Sequence, residues 1–126
     1  MNLLVEQLIV GLFTSLIYLL LFFMRFKYLI LLFLIGFLKH LLGYYVGLQD
    51  IYCNHHKPGT TAKVKLPELL FESFVEGLLF LIFGFILIKF NVNRNIIPFI
   101  LGFTIHIISE FIGIHYIFIE NRCKEM

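Results

Sequence analysis

Four apolar stretches, each long enough to cross a lipid bilayer, occupy most of this 126-residue chain. They cover residues 2–24, 28–48, 67–90 and 96–119. A membrane-spanning helix needs about 20 apolar residues, and a helix satisfies its backbone hydrogen bonds internally. Only 14% of the residues are charged, whereas a soluble domain carries about 25%. The sequence therefore predicts a single-domain, all-α integral membrane protein.

The polar segments between these stretches predict the topology. Residues 25–27 and 91–95 are short turns, whereas residues 49–66 form a longer polar loop. Four spans place both termini and the long loop on one face of the membrane. We therefore expect an antiparallel up-down four-helix bundle with both termini on the same side. The first stretch lacks early basic residues and is longer than the core of a secretory signal, so we expect a retained helix.

The distribution of charged residues does not determine the orientation of this bundle in the membrane. The two faces carry nearly equal numbers of Lys and Arg residues, whereas the positive-inside rule requires an imbalance. The net charge of +2 is spread over the loops and indicates no nucleic-acid partner. We expect the chain to lie in the lipid bilayer. Because four helices are few for a complete transport pathway, we also expect a homo-oligomer or a larger membrane complex.

An acidic stripe enters the membrane along the third stretch. Glu68, Glu72 and Glu76 are four residues apart and share one helix face. Helical rise from the long-loop side places Glu76, Lys39 and Glu110 at about the same depth, about 13 Å. Ionisable groups at such depth are costly and usually functional. Three helices thus bring charge to one level of one leaflet.

The predicted site combines these groups with the histidines of the same helix faces. Its members are Lys39, His40, Glu72, Glu76, His106 and Glu110. Four further polar residues nearer the long-loop surface are predicted to line its entrance: Glu6, Asp50, Glu68 and His115. Glu72, Glu76 and Glu110 outnumber Lys39, and a buried carboxylate must be protonated, paired or bound to a metal. We expect a polar, hydrated cavity that opens toward the long loop.

Three functions fit this pattern. Protonatable Glu and His residues in a half-membrane cavity suit proton- or cation-coupled transport or conduction, the leading interpretation. An enzyme embedded in the membrane could use the same Glu and His groups as acid and base on a lipid-like substrate. A structural subunit could keep the charges as internal pairs. The sequence does not distinguish among these three functions and does not identify the substrate.

Metal and haem sites are weaker alternatives. Glu72, Glu76, His106 and Glu110 offer the oxygen and nitrogen ligands that divalent metals accept, but their spacing differs from the Glu-x-x-His of di-metal bundles. Haem is disfavoured, because His40 and His106 differ in depth by about 8 Å.

The long loop carries its own candidate groups. Adjacent histidines seldom share one ion, so we expect His55 and His56 to be ordinary solvated residues. Cys53 and Cys123 are predicted at the same surface, where they form a disulfide in an oxidising compartment or remain free thiols in a reducing one. No internal repeat is expected.

Overall fold

The computed structural model describes residues 3–25 and 27–125, with the side chains of Leu3 and His115 excluded. In this range the chain is helical apart from one small sheet. The four longer helices are α1 Leu3–Phe22, α2 Tyr28–Tyr45, α4 Leu66–Lys89 and α5 Ile97–Phe111. The shorter elements are helices α3 Leu48–His56 and α6 Ile114–Arg122 and strands β1 Thr60–Ala62 and β2 Cys123–Glu125.

Three helices of the described chain are long and apolar enough to cross a membrane: Leu4–Phe22, Tyr28–Tyr45 and Leu66–Lys89. Helix α5 has 15 residues. Its length of about 22 Å is below the hydrocarbon thickness of about 30 Å. A fourth span would combine Ile97–Phe111 with Tyr116–Arg122, which are bent by 87° relative to each other. The stretch predicted as one helix over 96–119 is therefore broken.

Two glycines end the predicted helices early. Gly47 has φ 92° and Gly113 has φ 85°, both in the left-handed region that favours glycine because it lacks a Cβ. Helix α2 consequently ends at Tyr45, and α5 ends at Phe111. After each glycine the chain continues as a separate nine-residue helix. Much of the predicted polar loop 49–66 is thus ordered as α3 and β1.

The longer helices pack in pairs, α2 against α4 and α1 against α5, and α1 also contacts α2. Leu32, Ile35 and Phe80 are fully buried at the centre of the apolar core. Glycine permits the closest approach, because a Cβ on Gly36 would lie 2.9 Å from the Cα of Gly77. Small residues at helix contacts are typical of membrane helices, which lack a hydrophobic force between them.

Both short turns meet at one end of these helices. The Tyr18 hydroxyl donates a hydrogen bond to Asn95 Oδ1 at 2.9 Å. The Tyr28 hydroxyl donates to the Arg94 carbonyl at 2.7 Å. These contacts join the turn before α5 to the ends of α1 and α2.

The opposite end is held by a disulfide and a small sheet. Cys53 of α3 and Cys123 of β2 are disulfide-bonded, which selects one of the two states expected for these cysteines. Strands β1 and β2 pair antiparallel, with Ala62 opposite Cys123. Asp50 accepts hydrogen bonds from the Thr61 hydroxyl and from the Ala62 N–H, the latter at 2.8 Å. The sheet is absent from the sequence-based expectation, which contained only helices.

Candidate functional site

A cavity of about 520 Å³ lies at the disulfide end of the helices. Side chains from all six described helices line it, and both charged and apolar groups contribute. Small-molecule sites typically have volumes of about 300–1,000 Å³. The cavity is therefore large enough for a hydrated ion or a small organic ligand.

Glu76 is a largely buried carboxylate in the cavity wall. Lys39 donates from Nζ to Glu76 Oε1, and His40 Nδ1 lies 2.7 Å from Glu76 Oε2. The Lys39 and Glu76 side chains are only 14% and 12% exposed. Adjacent residues of α2 thus engage both oxygens of one carboxylate on α4. Lys39, His40 and Glu76 of the predicted site are therefore in direct contact.

His40 links this pair to a second carboxylate. Its Nε2 atom lies 3.2 Å from Glu72 Oε1. Arg122 donates to the same oxygen of Glu72 and, at 2.6 Å, to Gln49 Oε1. Arg122 is 4% exposed, so its charge is buried with the cluster. The contacts run without interruption from Lys39 through Glu76, His40 and Glu72 to Arg122.

Arg122 is the member of this cluster that the sequence analysis does not predict. It follows the apolar stretch 96–119, which is predicted as one straight helix. The bend at Gly113 instead turns α6, so that Arg122 reaches Glu72 on α4. Two permanent cations therefore balance Glu72 and Glu76, in place of Lys39 alone. The available signal was a glycine inside an apolar run, followed by an arginine one short helix later.

Other predicted members of the site occupy its margin. His106 lines the cavity, and its ring centroid is 6.1 Å from that of Tyr52. Glu110 is not among the lining residues of the described chain. It lies close enough to act on Tyr52, because burial and the carboxyl groups of Glu110 and Glu6 raise the pKa of Tyr52 above its ordinary value.

The four predicted entrance residues separate into three cases. Glu6 and Glu68 line the cavity. Asp50 instead anchors β1 and does not line the cavity in the described chain. The side chain of His115 lies outside the described part of the structure.

The donor atoms that the structure brings together differ from the predicted metal set. Of the four predicted ligands, Glu72 contacts Arg122 and Glu76 contacts Lys39. The described residues instead place donor atoms of Glu6, His55 and His56 within 4.8 Å of one another.

The two halves of the chain repeat each other at an offset of 66 residues, contrary to the expectation of no internal repeat. The order of elements is the same in both halves: two long helices, a left-handed glycine, a nine-residue helix and a three-residue strand. Five pairs of identical Glu, Gly or His residues share the offset: Glu6 and Glu72, Gly11 and Gly77, Gly36 and Gly102, His40 and His106, and Gly47 and Gly113.

Equivalent residues make equivalent contacts. A Cβ on Gly77 would lie 2.9 Å from the Phe33 ring. Its counterpart on Gly11 would lie 2.7 Å from the ring of Phe99, which is 66 residues after Phe33. The packing between the halves is therefore made twice, once between α2 and α4 and once between α5 and α1.

The charged contacts at the cavity also recur. Glu72 pairs with Arg122, and at the equivalent positions Glu6 lies 2.6 Å from His56 Nε2. Both carboxylates line the same cavity. The cavity therefore lies at the interface of the two halves.

The Lys39–Glu76 pair breaks the repeat. The residues 66 positions away are Ile105 and Val10, both apolar and both lining the cavity. The same helix pairing is thus built with charged residues in one half and without them in the other. The equivalent helix contact in the other half therefore contains no charged pair.

Comparison of the chain with protein-family models, curated proteins and solved structures finds no match. Function must then be argued from the geometry and chemistry of the cavity.

Proposed function

We propose that the chain is a membrane protein for proton- or cation-coupled transport or conduction, a bundle of four spans with the last one bent at Gly113. Only 28–33% of the residues in the three apolar spans are buried within the chain. The exposed remainder includes large apolar side chains such as Leu20, Phe71 and Phe83. Such a surface is suited to contact with lipid, because soluble proteins seldom expose apolar area of this extent.

The observation that carries the proposal is the imidazole of His40 between two carboxylates. One ring nitrogen faces Glu76 at 2.7 Å and the other faces Glu72 at 3.2 Å. An imidazole can accept a proton at one nitrogen and release a proton from the other. A proton from the Glu76 carboxyl group would thereby reach the Glu72 carboxylate. The step spans one helical turn, about 6 Å.

The remaining charges prepare the cluster for this transfer. Lys39 and Arg122 each neutralise one of the carboxylates, so the proton in transit is the charge that changes. The cavity supplies access on one side only. Toward the short turns, a core that includes Leu32, Ile35 and Phe80 fills the space between the helices. Complete passage then requires either movement of one repeat against the other or a second copy of the chain.

The missing counterpart of the Lys39–Glu76 pair favours function over a structural role. A buried ion pair can often be replaced by packed apolar residues without loss of stability. Here the other half already has Ile105 and Val10 at these positions. A pair that the fold can omit is retained for another reason, and transport supplies one.

The disulfide supports an orientation for the proposed protein. Disulfides persist in oxidising compartments and are rare in reducing ones. Cys53 and Cys123 lie at the cavity end. The cavity would therefore open to the extracytoplasmic or lumenal side, and both short turns would face the cytoplasm.

A membrane-embedded enzyme is the second candidate, and the mixed lining of the cavity favours it. Phe13, Phe71 and Leu79 line the cavity together with the acid–base cluster. Such a lining suits an amphiphile whose polar end meets His40 while its chain meets the aromatic wall. Incubation with a membrane lipid extract, followed by mass spectrometry, would reveal a product that appears only with active protein.

Reconstitution tests the leading proposal. Purified protein in liposomes should take up protons under an imposed pH gradient, as followed by a trapped pH-sensitive dye. We expect Glu76→Gln and His40→Gln to lower the rate by more than about tenfold, the low end of the usual acid–base contribution. Glu110→Gln tests the predicted margin of the site. Glu120→Gln, an exposed change on α6, is the matched control and should leave uptake unchanged.

Three outcomes would contradict transport. Wild-type liposomes could show no uptake above protein-free ones. Alternatively, folded Glu76→Gln protein could retain full activity. Thirdly, a stable set of co-purifying subunits, with neither uptake nor lipid product, would favour the structural interpretation.

A further inference from the structure

We infer that Glu6, His55 and His56 form a binding site for a divalent transition-metal ion, with Zn²⁺ as its representative, where α1 meets α3. Their donor atoms all lie within 4.8 Å of one another. Two imidazoles and one carboxylate are established zinc ligands, and three protein ligands leave a fourth position for water. The site is separate from the Lys39–His40 cluster and does not depend on the proposed transport.

Glu6 provides the first reason for an ion at this place. It is 4% exposed although it carries a carboxylate. His56 Nε2 lies 2.6 Å from its Oε1 atom, but the buried Oε2 atom has no hydrogen-bond partner among the described residues. A buried carboxylate without full compensation is costly, and a bound cation removes that cost.

The geometry needs little adjustment to accept the ion. Tetrahedral zinc ligands at 2.0–2.1 Å are about 3.4 Å apart, so His56 and Glu6 need separate by less than about 1 Å. The His56 ring packs against Tyr52, four residues earlier in α3, at 4.2 Å between centroids. This contact holds the imidazole toward Glu6. His55 is exposed, with its ring 5.1 Å from that of His56.

The internal repeat supplies an independent reason. The counterpart of Glu6 is Glu72, whose partner is the permanent cation Arg122. At the position of Arg122 the first half has His56 instead. A metal ion held by histidine would restore to Glu6 the fixed positive charge that Arg122 gives to Glu72. This proposal departs from the expectation that the adjacent histidines are ordinary solvated residues.

The test uses the full chain in detergent with its disulfide intact, at a slightly alkaline pH, because metal ions bind the deprotonated form of their ligands. Co²⁺ is the spectroscopic probe, because its tetrahedral complexes absorb strongly in the visible range. Zn²⁺ binding is measured by calorimetry and by competition against Co²⁺. We expect one ion per chain and a tetrahedral Co²⁺ spectrum. Folded wild-type protein that binds neither ion would overturn the site and leave His56 as the partner of Glu6.

The repeat offers a variant that should fold. His55→Asn with His56→Arg installs the residues found at the counterpart positions, Asn121 and Arg122. Loss of one residue that hydrogen-bonds to a metal ligand weakens metal binding about 10–100-fold, so loss of two direct ligands should raise the Kd more than about 100-fold. The midpoint of thermal unfolding without metal should be unchanged, since the new arginine pairs with Glu6.

His106→Gln is the matched control and should bind metal as the wild type does. Metal binding that survives the double substitution would overturn the proposal. Metal binding that His106→Gln alone abolishes would also overturn it, and would move the site to the ligands predicted from the sequence.

Discussion

The ion pair between Lys39 and Glu76 allows fold and function to be tested separately. Removing one partner of a buried pair leaves an uncompensated charge and costs about 3–5 kcal/mol. Both side chains are largely but not fully buried, being 14% and 12% exposed. The contact of His40 with Glu76 at 2.7 Å does not involve Lys39, so we expect it to remain when Lys39 is replaced. We therefore expect Lys39→Ile to lower the free energy of unfolding by about 3 kcal/mol, the lower end of that range.

The double variant Lys39→Ile with Glu76→Val should behave differently. It places at these positions the residues of the other repeat, Ile105 and Val10. Replacing a buried ion pair by packed apolar residues is neutral or stabilising by about 1–4 kcal/mol. The double variant should thus be at least as stable as the wild type, and the two single effects should not add. Proton uptake should be lost, because the relay has lost its first carboxylate.

Unfolding in mixed micelles with increasing dodecyl sulfate, followed by circular dichroism, measures the free energies. The same preparations in liposomes give the uptake rates. A double variant as unstable as Lys39→Ile would refute the reasoning, because the fold would then require the pair. A stable double variant with wild-type uptake would instead remove Lys39 and Glu76 from the transport step.

Two further predictions concern the fold itself. Cys53→Ser should lower the free energy of unfolding by about 4 kcal/mol, because the disulfide to Cys123 closes a loop across a sequence separation of 70 residues. Reductant should lower the stability of the wild type by the same amount and should not affect the variant. Gly47→Ala should destabilise by about 1–2 kcal/mol because its φ is 92°. Gly43→Ala has open space around its Cβ in a helix and should stabilise by about 0.5–1 kcal/mol; equal effects of these two alanines would contradict the backbone argument.

The convergence of α2 and α4 could be predicted from the sequence. A helical period of 3.6 places Lys39 and His40 on one face, and the four-residue spacing does the same for Glu72 and Glu76. Polar groups in membrane helices turn toward each other because lipid offers them no partner. The structure brings all four within direct contact.

The position of Arg122 could not be obtained in this way. It depends on the left-handed conformation of Gly113, within a run whose composition resembles a continuous span. Hydropathy records that a segment is apolar but not the φ of one residue. An arginine beyond such a run then counts as part of a tail, although the bend returns it to the cavity.

The internal repeat is difficult to detect in the sequence for a related reason. Leu, Ile and Phe replace one another freely on lipid-facing helix surfaces, so identity survives at only a few positions. Those positions, such as Gly36 and Gly102 or His40 and His106, become informative only after the helices are paired in space. The same pairing relates His56 to Arg122 and so turns an inconspicuous loop histidine into a candidate metal ligand.

Two related halves around one pocket would present a ligand with nearly the same surroundings from either side. The amine and carboxylate of Lys39 and Glu76, on one side only, remove that equivalence. An elongated ligand with one charged end would then bind in a single orientation. The orientation of such a ligand in the pocket would be set by two side chains, not by the fold.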